Sequence, residues 1–126
     1  MKMCGKKAMK LNLGMLLFCA MNFAHAETLT QQNYDQQIKH YTEIIQQTKS
    51  ILDEPNSKAD AKMQSQAFCD RLDAYEQIAK LSRENANLEL ASIMLMASES
   101  YLNRQQDSLS GSGMTSAVFC AGKIKQ

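Results

Sequence analysis

Between residues 30 and 52 the apolar and aromatic positions fall at Tyr34, Ile38, Tyr41, Ile45, Thr48 and Leu52, spaced 4, 3, 4, 3, 4. That seam predicts a long amphipathic helix over about Thr30 to Leu52, with Ile44 and Ile51 widening the stripe. Its other face is uncharged but polar: Gln31, Gln32, Gln36, Gln37, Gln46 and Gln47. Thr28 and Gln31 have the spacing of a capping box, and Pro55 in Asp53-Glu54-Pro55-Asn56-Ser57 ends the helix. A second stripe, Phe68, Leu72, Tyr75 and Ile78/Ala79 with Met63 and Ala67 upstream, predicts a helix over about Lys58 to Leu81. Cys69 falls near the edge of that stripe, and Glu76 and Lys80 form an i,i+4 pair on the wet face.

A turn or kink is expected at Ser82 to Asn87, with Asn85 or Asn87 as N-cap, because a continuous helix of about 45 residues would be ~65 Å long. The third segment, about Asn87 to Asp107, carries Leu88, Leu90, Ala91, Ile93, Met94, Leu95, Met96, Ala97, Tyr101 and Leu102. A helix apolar on nearly every side is either buried or meets a partner. A Gly/Ser loop, Ser108 to Gly113, follows. Met114 to Ala121 then reads as a short helix capped by Gly122, with Val118 and Phe119 turned inward. The expected fold is all-α: a small antiparallel bundle of about three main helices plus a short C-terminal helix, with shallow crossing angles.

The first 26 residues break this pattern. Lys2, Lys6, Lys7 and Lys10 precede an apolar run from Leu11 to Phe23, and Ala24-His25-Ala26 supplies small residues at −3 and −1. These are the parts of a secretory signal peptide, with cleavage expected between Ala26 and Glu27. Met1 and Met9 are both usable starts. The run is shorter than a membrane span of about 20 residues and contains Asn12 and Asn22, which speaks against a retained anchor. Phe18 before Cys19 is too large for a lipid-attachment site. The expected organisation is a signal over 1–26 and one helical domain over 27–126, periplasmic or secreted.

Export changes the charge and cysteine arithmetic. Of 126 residues, 14 are Lys or Arg and 13 are Asp or Glu, but the four lysines of the leader leave ten basic against thirteen acidic residues. A mildly acidic chain is a poor electrostatic ligand for nucleic acid or anionic lipid. Cys4 and Cys19 leave with the signal, so Cys69 and Cys120 remain. An even count in an oxidising compartment implies a Cys69–Cys120 disulfide. Closing a loop of that length stabilises by roughly 4 kcal/mol in the chain-entropy account. There is no Cys-x-x-Cys of the redox-active type.

Candidate chemistry is sparse. His40 is the only histidine after the leader and has no ligand-spaced partner for a metal. Ser92, Ser98 and Ser100 lie in no nucleophile motif. Asp70, Asp73 and Glu76 share a helix face and read as a solvated row. Gly111-Ser112-Gly113 follows no strand and is a turn rather than a phosphate cradle. Met94 and Met96 point about 200° apart on a helix, so they share no copper site; filling of core gaps is the expected role, with partner contact second. The tyrosines Tyr34, Tyr41, Tyr75 and Tyr101 are expected at the bundle edge, hydroxyls toward water. No catalytic, cofactor or metal residue is assigned.

These features point to an exported, non-enzymatic interaction protein of the bacterial envelope, binding another envelope or secreted protein through helix faces. Neither nucleic-acid binding nor stable membrane insertion after cleavage is expected, and self-association is open. The alternatives are a periplasmic immunity or inhibitor protein, with Asp107–Gly113 as its protruding loop, and an acid-stress chaperone. In composition the leader and Gln-rich helix also resemble accessory subunits of type IV secretion systems over about 25 residues, with no residue role carried over. A small hydrolase has the least support.

Overall fold

A computed structural model describes residues 28–124, so the expected leader and the Ala26–Glu27 junction lie outside the described residues. Four helices follow in order: α1 (Gln31–Leu52), α2 (Ala61–Glu84), α3 (Ala91–Gly111) and α4 (Ser116–Phe119). The three long helices run up, down and up, with α2 in the middle. Tyr34 meets Ser82 and Thr48 meets Arg71, which fixes α1 antiparallel to α2. Arg83 pairs with Glu99 and Tyr75 stacks on Tyr101, which does the same for α2 and α3.

Helix ends explain themselves by side-chain capping, though not always at the expected residue. Thr30, not Thr28, caps α1, its side chain accepting from the Asn33 N–H at 3.2 Å. Gln31 is thereby freed, and its side chain instead clasps the Glu89 backbone, accepting from the N–H at 2.8 Å. The chain leaves α1 at Asp53, two residues before Pro55, which cannot continue a helix. Asp60 caps α2, accepting from the Met63 N–H at 2.8 Å, so that helix starts three residues later than the Lys58 expectation.

The break between α2 and α3 is real, but Asn85 closes α2 rather than opening α3. Its buried amide donates to the Leu81 carbonyl at 2.8 Å and accepts from the Leu29 N–H at 2.9 Å. One side chain thus ends a helix and holds the strap leading into α1. The N-cap of α3 is Leu90, which has φ 64° and gives no side-chain cap. A left-handed leucine costs roughly 1–2 kcal/mol. At the far end α3 runs through Gly111, so the expected protruding loop 107–113 is mostly helix. Only a short link with Gly113 at φ 75° separates it from α4.

The core has two centres. Ile45 of α1 meets Ala74 and Ile78 of α2, with Ile38, Tyr41, Ile44, Tyr75 and Met94 packed round them. Cys69, Leu72 and Cys120 form the other, flanked by Phe68, Tyr101, Leu102 and Phe119. Cys69 is fully buried rather than at the edge of its stripe, and it is bonded to Cys120 with a Cα–Cα distance of 5.6 Å. The bond anchors α4, a four-residue helix too short to persist alone. Phe119 turns inward, edge-on to Phe68 with ring centroids 5.5 Å apart. Val118, expected inside as well, points to solvent, because one turn can bury only one of two adjacent side chains.

Tyr34 departs from expectation in the other direction. It is wholly buried, and its hydroxyl shares a 2.8 Å hydrogen bond with the buried Ser82 rather than reaching water. Of the expected surface pairs, Glu76 and Lys80 do not meet; the described ion pairs are Lys39–Glu43, Arg71–Asp53 and Arg83–Glu99.

Candidate functional site

Three helices in a row leave grooves that a closed bundle would fill. The largest lies between α1 and α2 on the side away from α3. Ile44, Gln47, Thr48 and Ile51 form one wall; Lys62, Met63, Gln66, Ala67 and Asp70 form the other, around about 520 Å3. A second depression of about 400 Å3 shares Ile44, Gln47, Gln66 and Asp70 with it and continues to Asp73 and Ile124. Along α2 the two run from residue 62 to residue 73, about 16 Å at the helical rise. The seam residues Ile44 and Ile51, which widen the α1 stripe, are what extends past the α2 contact and floors this groove. Met63 at its mouth is 51% exposed.

The groove is apolar within and graded in charge along its rim. Lys62 stands at one end; Asp70 and Asp73 stand toward the other. Gln66 spans the α2 edge, donating to Asp70 at 2.8 Å and to the Lys123 carbonyl at 2.7 Å, so it ties the tail down beside the groove. Asp73 accepts a longer bond from Gln77 at 3.4 Å. The acidic row of the sequence is therefore split. Asp70 and Asp73 face the groove, while Glu76 turns toward α3 and α4.

Behind the groove wall sits a polar clamp. The Arg71 guanidinium reaches Asp53 with two bonds of 3.0 Å, one to each carboxylate oxygen, and its Nε donates to Thr48 at 2.6 Å. Thr48 passes its own proton to the Ile45 carbonyl at 2.6 Å. The hydrogen bond from Arg71 holds the Asp53 carboxyl below the usual carboxylate range. Burial pushes the Tyr101 phenol up, with the Arg71 cation pulling the other way. Tyr101 stacks on Tyr75 at 4.0 Å between centroids. The clamp fixes the C-terminal end of α1 against α2 and α3, so it sets the width of the groove without lining its floor.

Glu76 is the carboxylate whose surroundings come nearest to those of an acid catalyst. Burial, and then the charge of Asp73, raise its pKa. It borders two depressions of about 140 and 240 Å3, lined mainly by Leu72, Leu102, Ser116 and amides of α3. Both fall below the ~300 Å3 at which small-molecule sites begin. Among the described residues no three His, Cys, Asp or Glu side chains converge to hold a metal ion. His40 is exposed and lies edge-on to Tyr41 at 5.1 Å. No described helix is long and apolar enough to cross a membrane.

The outer face of α3 is the second uncovered surface. Ile93 is 57% and Met96 69% exposed, beside Leu90 at 59%. Only Ala91 and Ser98 of this helix are fully buried. Met94 alone of the two methionines fills the core, as its opposite direction on the helix requires. No known protein family, curated protein or solved structure matches the chain.

Proposed function

We propose that this chain is an exported, non-enzymatic interaction protein of the bacterial envelope that takes a helix of a partner protein into the α1/α2 groove. The observation that carries the reading is the groove itself: apolar along its floor, open to solvent, and about three helical turns long. Those are the dimensions in which an amphipathic helix seats two or three side chains at i, i+3/i+4 and i+7. The rim names the partner's chemistry. Its anchors are apolar, and a basic residue lies at the end that meets Asp70 and Asp73. Adaptable Met63 at the mouth suits an occupant inserted from solvent. The small depressions beside Glu76 give a substrate no room, which supports a non-enzymatic role. The inhibitor alternative loses its protruding loop, since α3 runs through Gly111.

A photo-crosslinking residue placed at Met63 or Gln47 in exporting cells, with Lys80 as an off-groove control, tests this. The expected result is one discrete adduct from the groove positions and none from Lys80. Met63→Lys should then weaken binding of the purified partner by about tenfold or more with an unchanged melting temperature. Equal labelling from Lys80, or no adduct from the groove, overturns the proposal.

A further inference from the structure

Ile93, Met96 and Ser100 stand on one stripe of α3, three and four residues apart, with the exposed Ala97 beside them. Arg104 continues the stripe, its guanidinium donating to the Ser100 hydroxyl at 2.8 Å. Glu89 is exposed just ahead of the helix. We propose that this face is covered by α3 of a second copy of the chain, antiparallel across a two-fold axis. The surface is separate from the groove, so the two readings stand or fall apart.

The face is complementary to itself in that arrangement and in no parallel one. A two-fold axis demands that whatever residue i meets, the reciprocal contact also forms. With the axis between Met96 and Ala97, Met96 meets Ala97 of the other copy, Ile93 meets Ser100, and Glu89 meets Arg104. Each large side chain opposes a small one, and the acid opposes the base. A parallel pair would set Glu89 against Glu89 and Arg104 against Arg104. Among the described ion pairs neither Glu89 nor Arg104 has a partner within its own chain. Antiparallel helices also place opposite dipole ends together.

The area sets the strength. At their measured exposures Leu90, Ile93 and Met96 leave on the order of 350 Å2 per copy, the size of a functional patch on a monomer. Two such patches with their polar flanks bury roughly 1,000 Å2, the lower edge of specific interfaces. A weak, concentration-dependent dimer follows, populated at roughly 0.1–1 mM protein.

Sedimentation equilibrium on the exported, oxidised chain between 1 µM and 1 mM tests this. The expected result is a monomer–dimer equilibrium whose dissociation constant rises about tenfold or more in Met96→Glu, while the melting temperature of the dilute monomer is unchanged. Arg104→Glu and Glu89→Arg should each weaken the dimer, and the double swap should restore it. Monomer throughout the range, a dimer indifferent to Met96→Glu, or a double swap no better than the single changes overturns the proposal.

Discussion

Severing the Cys69–Cys120 bond should destabilise the protein more than any other single covalent change, and should act first on one end of it. The bond spans 51 residues. In the chain-entropy account, removing a cross-link of that span frees the unfolded chain by about 4 kcal/mol, against a typical total of ~5–15 kcal/mol for a domain. For a domain of this size that corresponds to roughly 15 °C or more in melting temperature. The folded state adds a local term. Phe119 on Phe68 and the Lys123 contacts to Phe119 and Gln66 are the other described ties on the tail, and α4 is only four residues long. Reduction should therefore release residues 112–124 before α1, α2 and α3 separate. The assay pairs urea denaturation of oxidised and reduced protein with hydrogen exchange resolved by peptide. A Cys69→Ala/Cys120→Ala double variant provides the irreversible comparison. A loss below about 1 kcal/mol would refute the loop-entropy argument. Unchanged protection of residues 116–124 on reduction would refute the claim that the bond holds α4 in place.

Three further outcomes follow from particular contacts. Leu90→Gly should raise stability by about 1 kcal/mol, since glycine adopts φ 64° without strain and the leucine side chain buries little; an unchanged or lower urea midpoint would contradict it. Tyr34→Phe should lower stability by about 1–2 kcal/mol by leaving the buried Ser82 hydroxyl unpaired, and Tyr34→Phe with Ser82→Ala should recover part of that loss in a double-mutant cycle. Asp53→Asn should cost less than about 1 kcal/mol at neutral pH, because half of the carboxylate is solvated. The Asp53 pKa is lowered in the fold, so the pair's contribution is present above the ordinary carboxylate value and lost as pH falls through the depressed one. Wild type and variant stability curves should therefore converge below about pH 3.8; parallel curves would show that the bidentate bond does not stabilise the fold.

The arrangement also explains why polar groups far from solvent are tolerated. Thr48, Ser82, Asn85 and Ser98 are all buried, and each is bonded: to Arg71 and Ile45, to Tyr34, to Leu81 and Leu29, and to the Met94 carbonyl. No buried side-chain nitrogen or oxygen among the described residues lacks a partner. These bonds link helices at separated levels, so they fix how far each helix slides past its neighbour, which apolar contacts alone leave soft. Groove width and the level of the α3 stripe both depend on that register.

Local pattern determined the elements. The 4, 3, 4, 3, 4 seam, Pro55, the turn residues after Leu81 and the two cysteines left beyond the leader were enough for three long helices, a short fourth and one disulfide, because helix periodicity, proline geometry and cysteine pairing act through neighbours in sequence or through simple counting. Cap positions slipped by a few residues because Thr28 and Thr30, or Lys58 and Asp60, offer competing starts of similar energy. What only the tertiary structure decided was coverage. An apolar stripe states that a face avoids water, not which element covers it. Tyr34 is buried because Ser82, 48 residues away, receives its hydroxyl. Asn85 ends a helix because Leu29 is there to donate to it. Ile93 and Met96 remain outside because α2 lies on the opposite side of α3 and no further helix follows to cover them. The same central placement of α2 opens the groove beside Met63, since a third helix that packs on one side of a pair leaves the other side bare.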